Sequence, residues 1–308
     1  TIACRDKIKI PDEVKKLIES KSYYIRINNV YSAKELEVEL SNLIKNKSFD
    51  LEYGGDYEDS YSLDYLKSVN IVELNQSENN SADCNNAKEL TEEITISKNL
   101  KELYVKSANF KEIPKWLFDL YNIEKLFINC DSLEELPKEI GKLTNLKELY
   151  INCDSLEKIP EEIGNLTNLQ ELDIHCENLK DLPNEIGNLA NLKIFSLGKY
   201  SFNENSNLKI IPKEIGKLIS LKEFDIFSSN LKELPKEIGD LVNLERLEID
   251  CDSLEELPHE IGNLINLNSI VIHCNKLKEL PEEIGNLLKM EYFSMDSEVL
   301  KELPKSIG

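Results

Sequence analysis

The chain has 308 residues, 41% of them hydrophobic and 31% charged, which is the composition of a folded protein rather than a disordered one. Its apolar runs are only a few residues long, as at Val271-Ile272 and Leu287-Leu288, far below the roughly 20 that a membrane-spanning helix needs. A net charge of −21 argues against nucleic acid as a partner, because that affinity comes mainly from Lys and Arg neutralising phosphates.

In chain order, Thr1-Ile2-Ala3-Cys4 runs directly into charged Arg5-Asp6-Lys7, with no apolar stretch of the kind a secretory signal carries. The first residue is not methionine, so an upstream segment is compatible with the sequence, and with it a cell-surface or secreted location. Pro11-Asp12-Glu13 opens a short helix with Val14, Leu17 and Ile18 on one face. Tyr23 to Val30 reads as a strand. Ser32 and Glu35 form a capping box for a helix carrying Leu36, Leu40, Leu43 and Ile44, and Phe49 to Tyr53 alternates as a second strand before the turn at Gly54 to Asp59. Residues 1–62 are therefore expected to form an N-terminal α/β cap over the first repeat. Residues 63–99 read as a degenerate first repeat, with a strand phrase at Leu66-x-x-Val69-x-Ile71, a polar insertion from Asn75 to Lys88, and a return at Leu90-Thr91-Glu92-Glu93-Ile94.

From residue 100 onward the chain repeats itself. The phrase LPxEIGxLxNLxxLxI starts at Leu100, Ile123, Leu146, Leu169, Leu192, Leu221, Leu244, Leu267 and Met290, in steps of 23 residues except for 29 between 192 and 221. The six extra residues fall in the polar stretch Gly198 to Asn207. Within a unit, Leu146-x-x-Leu149-x-Ile151 alternates as a short strand, and Leu156, Ile159, Ile163 and Leu166 then follow at spacings of three to four. Pro160 breaks any strand there, and Gly164 supplies a tight backbone position in the return. One unit cannot close its own core, so units must stack, with parallel strands on a concave face and the Pro-containing arcs behind.

The LPxEIGxLxNL phrase resembles that of leucine-rich-repeat proteins, in the 23-residue variety found in Ras-suppressor-like proteins, plant intracellular relatives and many bacterial proteins. The resemblance covers residues 100–308 and implies an α/β horseshoe solenoid that works as an adaptor, adhesin or host-interacting factor. The pattern is not followed throughout. Where the family usually places an Asn that both donates to and accepts from the backbone, this chain has Asp131, Asp154, Glu177, Ser229, Asp252, Asn275 and Glu298. An ionised carboxylate only accepts. The turn must be rebuilt, and the next position, Ser132, Ser155, Asn178, Asn230 and Ser253, is the expected place. The chain stops on Gly308 inside a return, so more sequence is expected beyond it.

Cys130, Cys153, Cys176, Cys251 and Cys274 share one repeat position that faces the core, with Ser107, Ser228 and Ser297 filling it elsewhere. Neighbours there would sit about 4.8 Å apart with parallel Cβ vectors, which suits small packing residues better than disulfides. Seven cysteines, an odd number, tilt the reading toward a reducing, cytoplasmic setting. The pairs His175-Cys176 and His273-Cys274 point to opposite faces and lie four strands apart, too far to share a metal or form a catalytic pair. With no phosphate loop, dinucleotide turn or nucleophile elbow, the chain is read as non-enzymatic, without cofactor, metal site or small-molecule substrate.

The concave face carries the candidate site. Tyr104, Phe127 and Tyr150 occupy one outward column on successive strands, with Asn129, Asn152 and His175 beside them. Tyr-rich surfaces with adaptable polar neighbours are typical of interfaces. Further along, the same columns turn acidic with Asp173, Asp225, Glu248 and Asp250, and Phe227 and Arg246 lie among them. Converging oxygens at Asp225, Glu248 and Asp250 raise a weak calcium alternative to a solvated face. The expected function is a scaffold that holds a protein on this face, a basic one if the acids steer it. Two alternatives are a glycan- or surface-polymer-binding adhesin using the aromatic column, and the recognition part of a larger effector.

Overall fold

The computed structural model describes residues 24–27, 71–76, 101–107, 111–113, 115–198 and 206–307. The cap helices, the strand expected at 49–53, the tip of the insertion, Cys4 and Cys84 lie outside the described residues. The chain divides into two compact units, residues 1–132 and 133–308.

In the first unit, strands β1 (Tyr24–Ile27), β2 (Ile71–Gln76), β3 (Glu102–Ser107) and β4 (Lys125–Asn129) pair in parallel in chain order. The Tyr24 strand of the N-terminal segment thus joins the repeat ladder, with Ile25 opposite Val72 and Ile27 opposite Leu74. The register also corrects the first repeat. Val72 pairs with Leu103 and Leu74 with Val105, so the phrase is Val69-x-x-Val72-x-Leu74, three residues later than expected. Leu66, Val69 and Ile71 satisfy the same spacing, and only pairing with the next repeat separates the two.

In the second unit, strands β5 (Glu148–Asn152), β6 (Glu171–His175), β7 (Ile194–Leu197), β8 (Glu223–Phe227), β9 (Arg246–Asp250), β10 (Ser269–His273) and β11 (Tyr292–Asp296) form a parallel ladder in chain order. The register advances by one repeat per strand. Ile194 pairs with Glu223 across the longer interval, so the insertion is absorbed without a slip. Each return is a short 3-10 turn such as Glu161–Asn165, entered through a proline whose fixed φ sets the approach, as Pro160 does at −70°. Leu146, Leu149, Ile151, Leu156, Ile163 and Leu166 are buried, and their counterparts in the following repeats continue the same apolar columns. Either side of the insertion the usual Leu is replaced by Phe195 and Phe224, which stack in the core at 5.4 Å.

The returns pack tightly because of glycine. A Cβ on Gly239 would lie 2.4 Å from the carbonyl oxygen of Glu260 in the next return, and those on Gly164 and Gly216 would meet similar contacts. Gly198 is held at φ +86°, where the chain leaves β7 for the insertion.

The cysteine column, two residues before the expected position, bonds into the turn where it carries serine. Ser228 donates through Oγ to the Leu208 carbonyl at 2.6 Å and accepts from the backbone N–H groups of Asn230 and Leu231, doing the work expected of the family Asn. Ser297 bonds in the same way. Cys130, Cys251 and Cys274 direct weaker Sγ contacts of 3.7 to 3.9 Å to carbonyls of the preceding strand. All five described cysteines are buried free thiols. Burial raises the Cys274 thiol to about 12 and pushes Cys251 well above the ordinary range.

Candidate functional site

The outward face of each strand is set by the two-residue alternation: positions that flank the buried Leu and Ile point away from the core. In the first unit this places the half-buried rings of Tyr104 and Phe127 in register on β3 and β4, where they stack at 4.3 Å with planes 3° apart. The Tyr104 hydroxyl donates to Glu102 at 3.2 Å. Asn129 follows Phe127 by two on the same face.

In the second unit, Tyr150 stands among carboxylates. Its phenol is pushed far above its usual range, first by burial and then by a hydrogen bond to Glu171 and the charges of Glu171, Glu148 and Asp173. Asn152 pairs in register with His175, and its Oδ1 is enclosed without a hydrogen-bond partner. His175 in turn lies 3.7 Å from Asp173, an ion pair when the imidazole is protonated.

The acidic columns are not a set of equal, open charges. Arg246 on β9 donates to both oxygens of Asp225 at 2.6 and 2.8 Å and, through its other terminal nitrogen, to Glu248. Burial would favour the neutral guanidine, but the hydrogen bonds and charge of Asp225, with Glu248 and Glu223, outweigh it and raise the Arg246 pKa. Glu248 is only 8% exposed, and burial raises its pKa against the pull of Arg246. The two carboxylates that a calcium ion would need therefore converge on a guanidinium. Among the described residues there is no group of three or more His, Cys, Asp or Glu arranged to hold a metal. Asp250 lies 3.8 Å from His273 and is half-exposed. Phe227, expected to be presented, is 9% exposed although it occupies an outward position.

Half-exposed acids on the strand face of the second unit include Glu148, Glu171, Asp173, Glu223 and Asp250. Of these, Asp173 and Asp250 are candidates named from the sequence, and the three glutamates, at the first outward position of their strands, are not. Asn168, Asn191, Asn243 and Asn266 also escaped notice. Each donates through its side-chain amide to a carbonyl in the preceding repeat, at 2.7 to 2.8 Å, forming a ladder along the strand-entry edge. Their constancy in the NL step was the available signal.

A family model described as leucine-rich repeat region matches residues 55–209, 134–229 and 197–306. The chain belongs to the leucine-rich-repeat family. Proteins of this family generally act as protein-interaction scaffolds. Among curated proteins, none matches this leucine-rich-repeat chain. Among solved structures it is similar to an internalin, InlF, from Listeria monocytogenes str. 4b F2365, at 16% identity over 86% of this chain and 74% of that one, with a TM-score of 0.55. It is also similar to the leucine-rich-repeat domain of the type III effector XCV3220 (XopL), at 24% identity over 67% of this chain and 71% of that one, with a TM-score of 0.54. A third is TLR13, solved in complex with ssRNA13, at 20% identity and a TM-score of 0.59, where 77% of this chain spans 34% of that one. These likenesses show the shared fold. No helix among the described residues is long and apolar enough to cross a membrane.

Proposed function

We propose that this leucine-rich-repeat protein is a non-enzymatic scaffold that holds a protein partner on the outward, concave face of its parallel strands. The observation that carries the reading is the charge of that face. Glu148, Glu171, Asp173, Glu223 and Asp250 stand half-exposed at outward positions on four strands of the second unit, while Arg246, the strong base among them, is already engaged by Asp225 and Glu248. Such a field favours Lys- or Arg-bearing segments and repels a phosphate backbone, so the reading prefers a basic protein surface to an RNA of the kind bound to TLR13. The Tyr104–Phe127 stack supplies an aromatic anchor in the first unit, of the kind that carries binding energy in interfaces.

The test is site-resolved crosslinking. A photoreactive residue placed at Phe127, Glu171 or Asp250 should trap the same basic partner, and one placed at Lys236 or His259 in the returns should not. The capture should weaken steeply with added salt and with Asp173→Asn/Glu223→Gln/Asp250→Asn. Trapping from the return positions alone, or capture indifferent to both salt and charge removal, would place the binding surface elsewhere.

A further inference from the structure

A second surface lies on a different part of the second unit, at the bend between each 3-10 turn and the next strand. The residue one before the ladder asparagine is Thr144, Thr167 and Ala190 in the first three repeats of this unit. After the insertion it becomes Ile219, Val242, Ile265 and Leu288, which are 57%, 42%, 59% and 91% exposed. Four large aliphatic side chains on consecutive repeats, spaced by strand pairing at about 4.8 Å, make a continuous apolar ridge. Large apolar groups scattered singly are ordinary on a surface, but an in-register row confined to one stretch is not. A shallow trough lined by Lys222, Glu245, Asn268 and Lys289 runs beside it.

The flanks of the ridge indicate what covers it. On one side run Lys217, Asp240, Asn263 and Asn286, and on the other Ser220, Asn243, Asn266 and Lys289, with Lys222, Glu245, Asn268 and Glu291 in the next row out. In a chain of net charge −21 these rows are neutral: three cations stand against three carboxylates. Two copies of so acidic a protein can approach only where the local charge cancels. Laid against itself with the ridges antiparallel, about a two-fold axis between Val242 and Ile265, the surface sets Lys222 opposite Glu291 of the second copy and Glu245 opposite Asn268. The inner rows then pair Lys217 with Asn286, Asp240 with Asn263, Ser220 with Lys289 and Asn243 with Asn266. No like charges oppose.

We propose that the Ile219-Val242-Ile265-Leu288 ridge is a self-association surface, through which two copies of this chain dock back to back and leave their strand faces open. Four repeats provide a small interface, so the dimer forms reversibly and with modest affinity. This surface shares no residue with the partner-binding face proposed above, and neither reading depends on the other.

Sedimentation equilibrium over a wide concentration series tests it. The chain should show a monomer–dimer equilibrium, and Val242→Glu/Ile265→Glu should raise the dissociation constant at least about tenfold. These side chains are exposed, so circular dichroism should be unchanged. Lys222→Glu should weaken association, and Lys222→Glu/Glu291→Lys should restore it by exchanging the charges across the two-fold. A chain that stays monomeric throughout, or a dimer that survives the ridge variant, overturns the proposal. Failure of the charge exchange to restore association overturns the antiparallel arrangement and the proposal with it.

Discussion

Arg246 shows how a single side chain changes the meaning of its neighbours. Three carboxylates at Asp225, Glu248 and Asp250 are equivalent letters in the sequence, yet one is claimed bidentately, one is buried against the same guanidinium, and one faces a histidine. Removing the cation leaves Glu248 nearly buried with no countercharge. Arg246→Ala should therefore cost about 1–2 kcal/mol in denaturant unfolding, below the range for fully buried pairs because the guanidinium is part-exposed. Adding Glu248→Gln to that variant should recover much of the loss. Asp250 allows a test with pH. Burial holds its carboxyl above the usual range, against the charge of His273, so the folded state binds that proton more tightly than the unfolded chain does. Stability from this group is present at low pH and is lost as pH climbs from about 3.9 through the raised value. Asp250→Asn should thus stabilise the protein at neutral pH, with the difference from the parent closing as unfolding is measured at progressively lower pH. These roles were not legible beforehand, because alternation tells which face a residue takes and not which neighbour reaches it first. Phe227 illustrates the same limit: it has the position of a presented aromatic and the burial of a core residue.

At the scale of the element, the repeat phrase was nearly sufficient. Strand spans, the proline-entered return and the core columns all follow from the change of apolar period within 23 residues. Two things were not readable. One was the register of the first repeat, where two phrases three residues apart fit equally and only the neighbouring strand decides. The other was the agent that rebuilds the turn. Chemistry pointed to Ser155 and its counterparts, but the buried hydroxyl or thiol two residues earlier already faces the carbonyls, as Ser228 demonstrates. The returns make a sharp prediction. Gly239→Ala places a methyl group 2.4 Å from the Glu260 carbonyl oxygen and 2.7 Å from its Cβ, both atoms of a stacked neighbour that cannot swing aside. Thermal and denaturant unfolding should show a loss of about 1–3 kcal/mol, the range for overpacking, although alanine is the better helix former.

For the whole molecule, the sequence conveyed the family and the stacked architecture most clearly. A binding face is defined by which charges stay accessible once the protein has paired its own. In the second unit that balance leaves acids on the strand face and aliphatic groups on the strand-entry edge after the insertion. Two surfaces of opposite character suit a scaffold that holds one molecule while meeting another.

The regular register of the second unit has a mechanical consequence. Bonds between its described layers join residues about one repeat apart, as Asn168 to Thr144 and Lys222 to Glu245 do, and none of the paired strands must wait for a distant part of the chain. Layers with so little entanglement can be peeled from an end one at a time, each detaching with only its neighbour's consent. Drawn out by a steady force, residues 133–308 would lengthen in equal increments of one repeat, like stitches leaving a seam. The one larger increment would fall where the chain skips from Ile194 to Glu223.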